Sequence, residues 1–363
     1  MQQLRKKFPV LKQYIYANTA SAGLLGEDLL EWRQGHDLDF LIGGSDMKNK
    51  GFAHMPEIKR TVGDYFGCRG DQVALLPNFS LGLNLLLEGL PKEKRVLLLE
   101  NDYPSVNWPF ESRDFSCEYA PIDENLEGNI EKRIASGNID VLALSLVQWV
   151  NGVRIDLEFL KDLKQRYPQL LILADGTQFC GMEPFNFRES GIDILGVSAY
   201  KWLLAGYGNG FFLIQDGVEE QFQLKGIGHG SVDGDASKRD KIPFCKLLEP
   251  GHLDSLNFGS LEFALKFLED IGQDNIGKRV QELSQRAMGA FSELGLLEPY
   301  VPKRNRHSSI FLIRGDEKLF NRLREEQVVA SPRGGGIRLS FHFYNTLEEI
   351  DQIAHLLKRW ISK

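Results

Sequence analysis

The stretch LLILADGTQF (170–179), followed after a connector by DILGVSAYKWLLAGYGNGFF (193–212), decides the fold. One apolar run ends on Asp175; a second ends on Ser198, and Lys201 comes shortly after it. Apolar runs of this length, bounded by Gly and polar residues, read as strands buried on both faces of a parallel sheet. Such sheets bind ligands at the carboxyl ends of their strands. Asp175 and Lys201 are therefore expected to face one crevice. A carboxylate and an amine placed there suit a cofactor with both a cationic ring nitrogen and an aldehyde, as in pyridoxal 5'-phosphate (PLP).

Working outward, the pattern repeats. QVALLPN (72–78), RVLLLENDYPS (95–105) and VLALSLVQWVNG (141–152) read as strands running into loops. SLGLNLLLEGL (80–90) and DLEFLKDLKQRYP (156–168) read as helices from their apolar spacing. Strands alternating with helices imply an α/β fold with a mostly parallel central sheet and helices on both faces. GIGHGSVDGD (226–235) breaks the alternation and reads as a mobile surface loop near a linker. Beyond Asn257 the helices lengthen and only SSIFLI (308–313) and GIRLSFHF (336–343) read as strands, which implies a smaller C-terminal α+β domain. The expected division is an N-terminal segment 1–25, a large cofactor-binding domain 26–255 and a small domain 256–363. Thr346 and Glu349 form a T-x-x-E capping pattern at the start of the last helix.

The chain has 363 residues, 42% of them hydrophobic and 26% charged, which suits a soluble globular protein of about two domains. A net charge of −7 argues against nucleic acid as the partner, because phosphate contacts need clustered Lys and Arg. No apolar run reaches the roughly 20 residues of a membrane helix. No apolar stretch follows Arg5, Lys6 and Lys7, which speaks against a secretory leader. Cys68, Cys117, Cys180 and Cys245 are widely spaced, as expected in a reducing cytoplasm, and the histidines show no metal-ligand spacing.

Lys201 lies among Tyr200, Trp202, Leu203 and Leu204. Partial burial lowers an amine's pKa and improves it as a nucleophile toward an aldehyde. Asp175 is the expected partner of the ring nitrogen, although an Asp after a strand also caps the next helix. Gln178 is placed to approach the ring's phenolic oxygen. Asn78, Phe79 and Ser80 precede a helix starting near Leu81, whose N–H groups and dipole favour a phosphate. Tyr103 suits either a ring stacked on the cofactor or a core position. In GIRLSFHF the apolar residues alternate with Arg338, Ser340 and His342. Arg338 on a rigid strand offers a bidentate clamp for a substrate carboxylate, and Arg333 in SPRGGG is a second candidate. Either arginine fits a surface ion pair as well.

Together ADGTQ, SAYKWLLAGYGNGFF, EPGH and IRLSFHFYNT resemble the class V aminotransferase family of PLP enzymes, over a span from YIYANTAS (14–21) to FYNTLEEID (343–351). The resemblance implies fold-type I, PLP as cofactor and a small amino acid as substrate. It makes Lys201 the Schiff-base lysine, Asp175 the ring-nitrogen partner, Gln178 a ring-oxygen contact and Tyr103 the stacking aromatic. Phe79, Ser80, Ser198 and Tyr200 fall at phosphate-contact positions. His252 falls where relatives reach the phosphate of a neighbouring subunit, implying a homodimer with shared sites. Arg338 falls on the carboxylate-binding position. Gln148 or Trp149 stands where relatives carry an Asn near the ring oxygen.

The family's desulfurases carry a cysteine just before the arginine strand; here ASPRGGGIRLS has none, so a persulfide-forming desulfurase is disfavoured. Aminotransferase is the favoured activity, with a cysteine or selenocysteine lyase or an epimerase as alternatives, and a fold-retaining regulatory protein as the non-enzyme alternative. GYGNG (206–210) is no dinucleotide fingerprint, because it leads into a strand instead of leaving one.

Overall fold

The computed structural model describes residues 2–361; Met1, Ser362 and Lys363, the ends of the outer two expected segments, lie outside them. Seven strands form the main sheet: β1 (Val73–Leu76), β2 (Arg95–Leu99), β3 (Ser116–Ala120), β4 (Val141–Ser145), β5 (Leu171–Asp175), β6 (Ile194–Ser198) and β7 (Gly210–Ile214). Their order is β3-β2-β4-β5-β6-β7-β1. All run parallel except β7, which is antiparallel to both its neighbours.

The apolar runs are continuous because both faces are covered. Leu142, Leu144, Ile172 and Ala174 pack into one core, while Val141, Ala143, Leu171 and Leu173 pack into the other. Successive side chains of a strand point to opposite faces, so neither face tolerates a polar residue. The first polar residues appear where the strands run out: Ser145, Asp175 and Ser198 are the last residues of β4, β5 and β6. All three lie at the same rim, since these strands are parallel.

A smaller unit holds a three-stranded antiparallel sheet of β8 (Ile310–Ile313), β9 (Ser331–Arg333) and β10 (Gly336–Ser340), ordered β9-β10-β8. The chain start joins it to the main rim. Ile15–Tyr16 pairs in parallel with Val328–Val329, and Ala20 N–H donates to Ser340 Oγ at 2.9 Å. Three residues on, Gly23 N–H donates to Tyr200 O at 2.9 Å. A Cβ at Gly23 would lie 2.0 Å from Lys201 O, so only glycine permits this approach. The N-terminal segment thus ties the arginine-bearing sheet to the loop that carries Lys201.

Segment 226–235 is more closely held than a surface loop. Gly230 N–H donates to Pro250 O at 3.0 Å, and Ser231 is buried in a short 3-10 turn, His229–Val232. The adjoining LEPGH segment is anchored through Glu249, which is 2% exposed. Its Oε1 accepts from Leu75 N–H of β1 at 2.7 Å and its Oε2 from Lys59 Nζ at 2.9 Å, with Lys246 Nζ at 3.3 Å. At the other end of the chain, the expected cap forms: Glu349 Oε2 accepts from Thr346 N–H at 3.0 Å and Thr346 Oγ1 from Glu349 N–H at 3.2 Å.

Removing one partner from a buried ion pair leaves the other charge uncompensated. Glu249→Gln is therefore expected to lower unfolding stability by about 3 kcal/mol or more, with an unchanged urea m-value. A loss below about 0.5 kcal/mol, typical of an exposed pair, would contradict that anchor role.

Candidate active site

Lys201 and Asp175 do face one cleft. It is lined by Tyr103, Ser145, Val147, Trp149, Asp175, Thr177, Gln178 and Lys201. Lys201 enters it from the turn after β6, which closes through Leu204 N–H on Lys201 O at 3.2 Å; Leu204 takes a positive φ of 59°. A left-handed non-glycine residue is costly, and the buried turn enforces it. Lys201 Nζ lies 5.6 Å from the Tyr103 ring centroid and 5.5 Å from that of Tyr200.

Asp175 is fixed by its own turn. Thr177 N–H donates to Asp175 Oδ1 at 2.8 Å, and Thr177 Oγ1 accepts from Ser198 N–H at 3.0 Å, joining the ends of β5 and β6. Burial pushes the Asp175 carboxyl up, against the opposing pull of Thr177 and the Lys201 charge. Burial pushes the Lys201 amine down; Asp175 opposes this, and the Arg338 and Arg333 charges add to it. Each group is thus less comfortable charged than in water, and a cation beside Asp175 would restore its anionic form.

Asp102, which no motif singles out, braces the loop that carries Tyr103. It is buried at the end of β2 and accepts from Tyr103 N–H at 2.6 Å and Ser145 N–H at 2.8 Å. It thereby aims Tyr103 across the cleft. Tyr103 meets Trp149 edge to face at 5.6 Å. An acid three residues past an apolar strand, just before the aromatic Tyr103, is the available signal.

Phe79, Ser80, Ser198 and Tyr200 lie outside the residues that line the cleft, and Ser198 and Tyr200 precede Lys201 in the same turn. Asn78 caps the helix Phe79–Leu87, with Oδ1 accepting from Leu81 N–H at 2.9 Å. Ser198 Oγ accepts from Phe79 N–H at 2.9 Å, and Ser80 Oγ donates to Ser105 Oγ at 2.8 Å. With the Phe79 and Leu81 N–H groups taken in this way, Ser80 N–H is the first-turn group left for an anion. Tyr200 stacks on Tyr207 at 4.4 Å.

Gln178 lines the cleft, but both ends of its amide are engaged. Its Nε2 donates to Ala20 O at 2.9 Å and its Oε1 accepts from Trp202 Nε1 at 2.7 Å. Gln148 is buried, while Trp149 stands on the cleft wall with its Nε1 buried and without a partner. Arg338 is 2% exposed and donates Nη1 to Trp149 O at 2.6 Å. Burial, then the Arg333 charge, pull its guanidinium down to about 10, so it stays protonated at neutral pH. Arg333 is exposed, 5.7 Å above the Trp149 ring. His252 is exposed and stacked on His229 at 5.0 Å.

These features fit PLP. A buried amine and a fixed carboxylate share one cleft, an aromatic ring lies beside the amine, and a helix start keeps Ser80 N–H for an anion. Trp149 Nε1 adds a buried donor with no protein acceptor. Such donors are costly unless a ligand satisfies them.

Because Arg338 disfavours a charged Lys201 and Asp175 favours it, their removal should have opposite effects. A lysine captures an aldehyde cofactor only as the neutral amine. In Arg338→Gln the pH midpoint of capture, followed by absorbance, should move up; in Asp175→Asn it should move down. Shifts of the same sign would contradict the arrangement.

Residues 43–353 match the family described as Aminotransferase class-V. An uncharacterized aminotransferase, YcbU, of Bacillus subtilis is 24% identical, with 97% of each chain covered. The apo structure of a cysteine desulfurase from Thermococcus onnurineus superposes with a TM-score of 0.87 at 19% identity, covering 99% of this chain and 98% of that one. A C-DES variant with glycine covalently linked to its PLP cofactor superposes with a TM-score of 0.84 at 17% identity, covering 97% and 98%. With the matched residues spanning the whole cleft, the chain belongs to the class V aminotransferase family, as a fold-type I enzyme whose cofactor is PLP.

Proposed function

We propose that this enzyme is an aminotransferase acting on a small amino acid. The single observation that carries the reading is that Lys201 and Asp175 line one cleft whose wall residue Trp149 is bonded through its carbonyl to Arg338. Arg338 binds the substrate carboxylate through the edge that Trp149 O leaves free. Bound PLP supplies an electron sink for the charge left at the α-carbon. Asp175 keeps the ring nitrogen protonated, because a cationic nitrogen beside a buried carboxylate stabilises both charges. Lys201, tethered in place and with its amine pushed down by burial, takes and returns the α-proton. Tyr103 would cover the ring of bound PLP, Phe79, Ser80, Ser198 and Tyr200 would hold its phosphate, and Gln178 would offer its remaining N–H to the ring oxygen.

In this reading residues 26–255 hold the cofactor and 256–363 carry the arginine clamp, with 1–25 bridging them. A second copy completes the site by presenting His252 to the neighbouring phosphate. Exposed apolar side chains beside the site support such a cover: Leu81 adjoins Ser80, and Tyr207 stacks on Tyr200.

The cysteine desulfurase among the similar structures favours a second reading, a lyase that cleaves the β-substituent of its substrate. A relay through an enzyme persulfide has no supporting thiol. Cys68, Cys180 and Cys245 are buried and Cys117 half-buried. Burial holds the thiols of Cys68, Cys117 and Cys245 up, to about 12, 11 and 12. None of the four lines the cleft. A thiol held protonated is a poor nucleophile.

A panel of amino acids mixed with the holoenzyme separates the branches. An aminotransferase releases one keto acid per site and stops until an amino acceptor is added. Repeated turnover without acceptor, with sulfide or pyruvate released from cysteine or cystine, identifies the lyase and defeats the aminotransferase assignment.

A further inference from the structure

The β9–β10 hairpin carries two arginines, and the cleft reading uses only one. In the antiparallel register Ser331 pairs with Arg338 and Arg333 with Gly336. Directly paired residues share a face, and residues two apart on one strand share it too. Arg333 and Arg338 therefore project from the same face of the hairpin. Opposite Arg333 stands Gly336, which puts no side chain in its way. The tight turn between them is made by Gly334 and Gly335, with φ of 57° and 74°.

Both guanidiniums converge on Trp149. Arg338 Nη1 donates to its carbonyl at 2.6 Å, and Arg333 Cζ lies 5.7 Å over its ring. Among the described residues no carboxylate lies within ion-pairing distance of either one, although most other arginines of the chain have such a partner. Asp175 and Asp102 do not serve, being turned to Thr177 and to the Tyr103 and Ser145 amides. Two further donors at the same place, Trp149 Nε1 and Arg338 Nε, are buried without acceptors. With Nη1 committed to Trp149 O, Arg338 keeps its Nε–Nη2 edge for one carboxylate. A carboxylate docked side-on to Arg338 spends both oxygens there, and an uncompensated Arg333 cation disfavours the charged form of the Lys201 amine.

We propose that Arg333 is a second anion anchor, so that the preferred substrate is an amino acid bearing an acidic side chain. This rests on the reading of Arg338 as the carboxylate clamp given above. The α-carboxylate sits on Arg338, deep in the cleft. The side-chain acid lies toward the mouth, between Arg333 and the Trp149 indole N–H. The exposure of Arg333 fits a group that meets the substrate at the entrance.

The test uses the holoenzyme, with glutarate and butyrate as probes that differ by one carboxylate. Their affinities are measured by calorimetry, and kcat/KM is measured for glutamate, aspartate, alanine and norvaline. The native protein should bind glutarate at least tenfold more tightly than butyrate and prefer the acidic amino acids. Arg333→Ala should cut both ratios by a factor of about 10 to 100, the range of a charge-assisted hydrogen bond. Arg333→Lys should restore part of the ratio, because it keeps the charge without the fork. Equal affinity for the two probes in the native protein overturns the inference, as does an unchanged ratio in Arg333→Ala. So does an Arg333→Ala variant whose main defect is a changed oligomeric mass. If monocarboxylic amino acids react and acidic ones do not, only this inference fails. If no amino acid perturbs the cofactor spectrum, the aminotransferase reading fails with it.

Discussion

Everything in the cleft depends on placing a buried amine and a buried carboxylate together at the rim of a dry sheet. Neither group is comfortable there alone. Burial pushes the Lys201 amine down and the Asp175 carboxyl up, and their mutual attraction only partly offsets this. Such a site is electrostatically unfinished, which is what a cofactor with a ring cation and an aldehyde resolves. The cost of holding it is met by the parallel sheet, whose two packed faces fix the strand ends rigidly.

The sheet alone would leave the cleft open on one side. The N-terminal segment closes it by bonding at once to Ser340 of the smaller sheet and to Tyr200 beside Lys201. Arg338 is thereby brought within reach of Trp149, which follows a strand of the other sheet. Asp102 does comparable work from below, linking the end of β2 to that of β4 and orienting Tyr103. Lys201, Asp175, Tyr103 and Arg338 come from four separate stretches, and each is held by a backbone bond or a buried turn. Motion of the smaller sheet relative to the main one would change the arginine clamp without disturbing the Lys201–Asp175 pair.

Much of this was legible in the sequence because burial on both faces writes uninterrupted apolar runs. The runs ending on Asp175 and Ser198 match β5 and β6 at their last residues. The alternation around Arg338 placed it on a strand, as β10 shows. What was not legible is non-local. Nothing in GFFLI distinguishes the antiparallel β7 from a parallel neighbour, since both faces are buried either way. The helices Glu27–Gly43 and Ser45–Phe66 escaped notice: the first exposes Leu38, Leu41 and Ile42, which blurs its apolar stripe. Segment 226–235 looked like a free loop because glycines signal turns, whereas here its backbone lies against Pro250. Asp102 is not legible because acids after a strand are common, Glu100 being another, and only its bonds to the Tyr103 and Ser145 amides give it meaning. Gln178 read as a ring contact; its bonds to Ala20 and Trp202 also make it a brace of the N-terminal segment.

The claim that a cofactor aldehyde is held by this buried amine has one direct measurement. The protein is loaded with PLP, reduced with borohydride and digested, and the modified peptide is sequenced by mass spectrometry. The account predicts a pyridoxyl group on Lys201 at close to one per chain, and none in Lys201→Ala. A modified lysine elsewhere, or no stable label on the loaded protein, would contradict it.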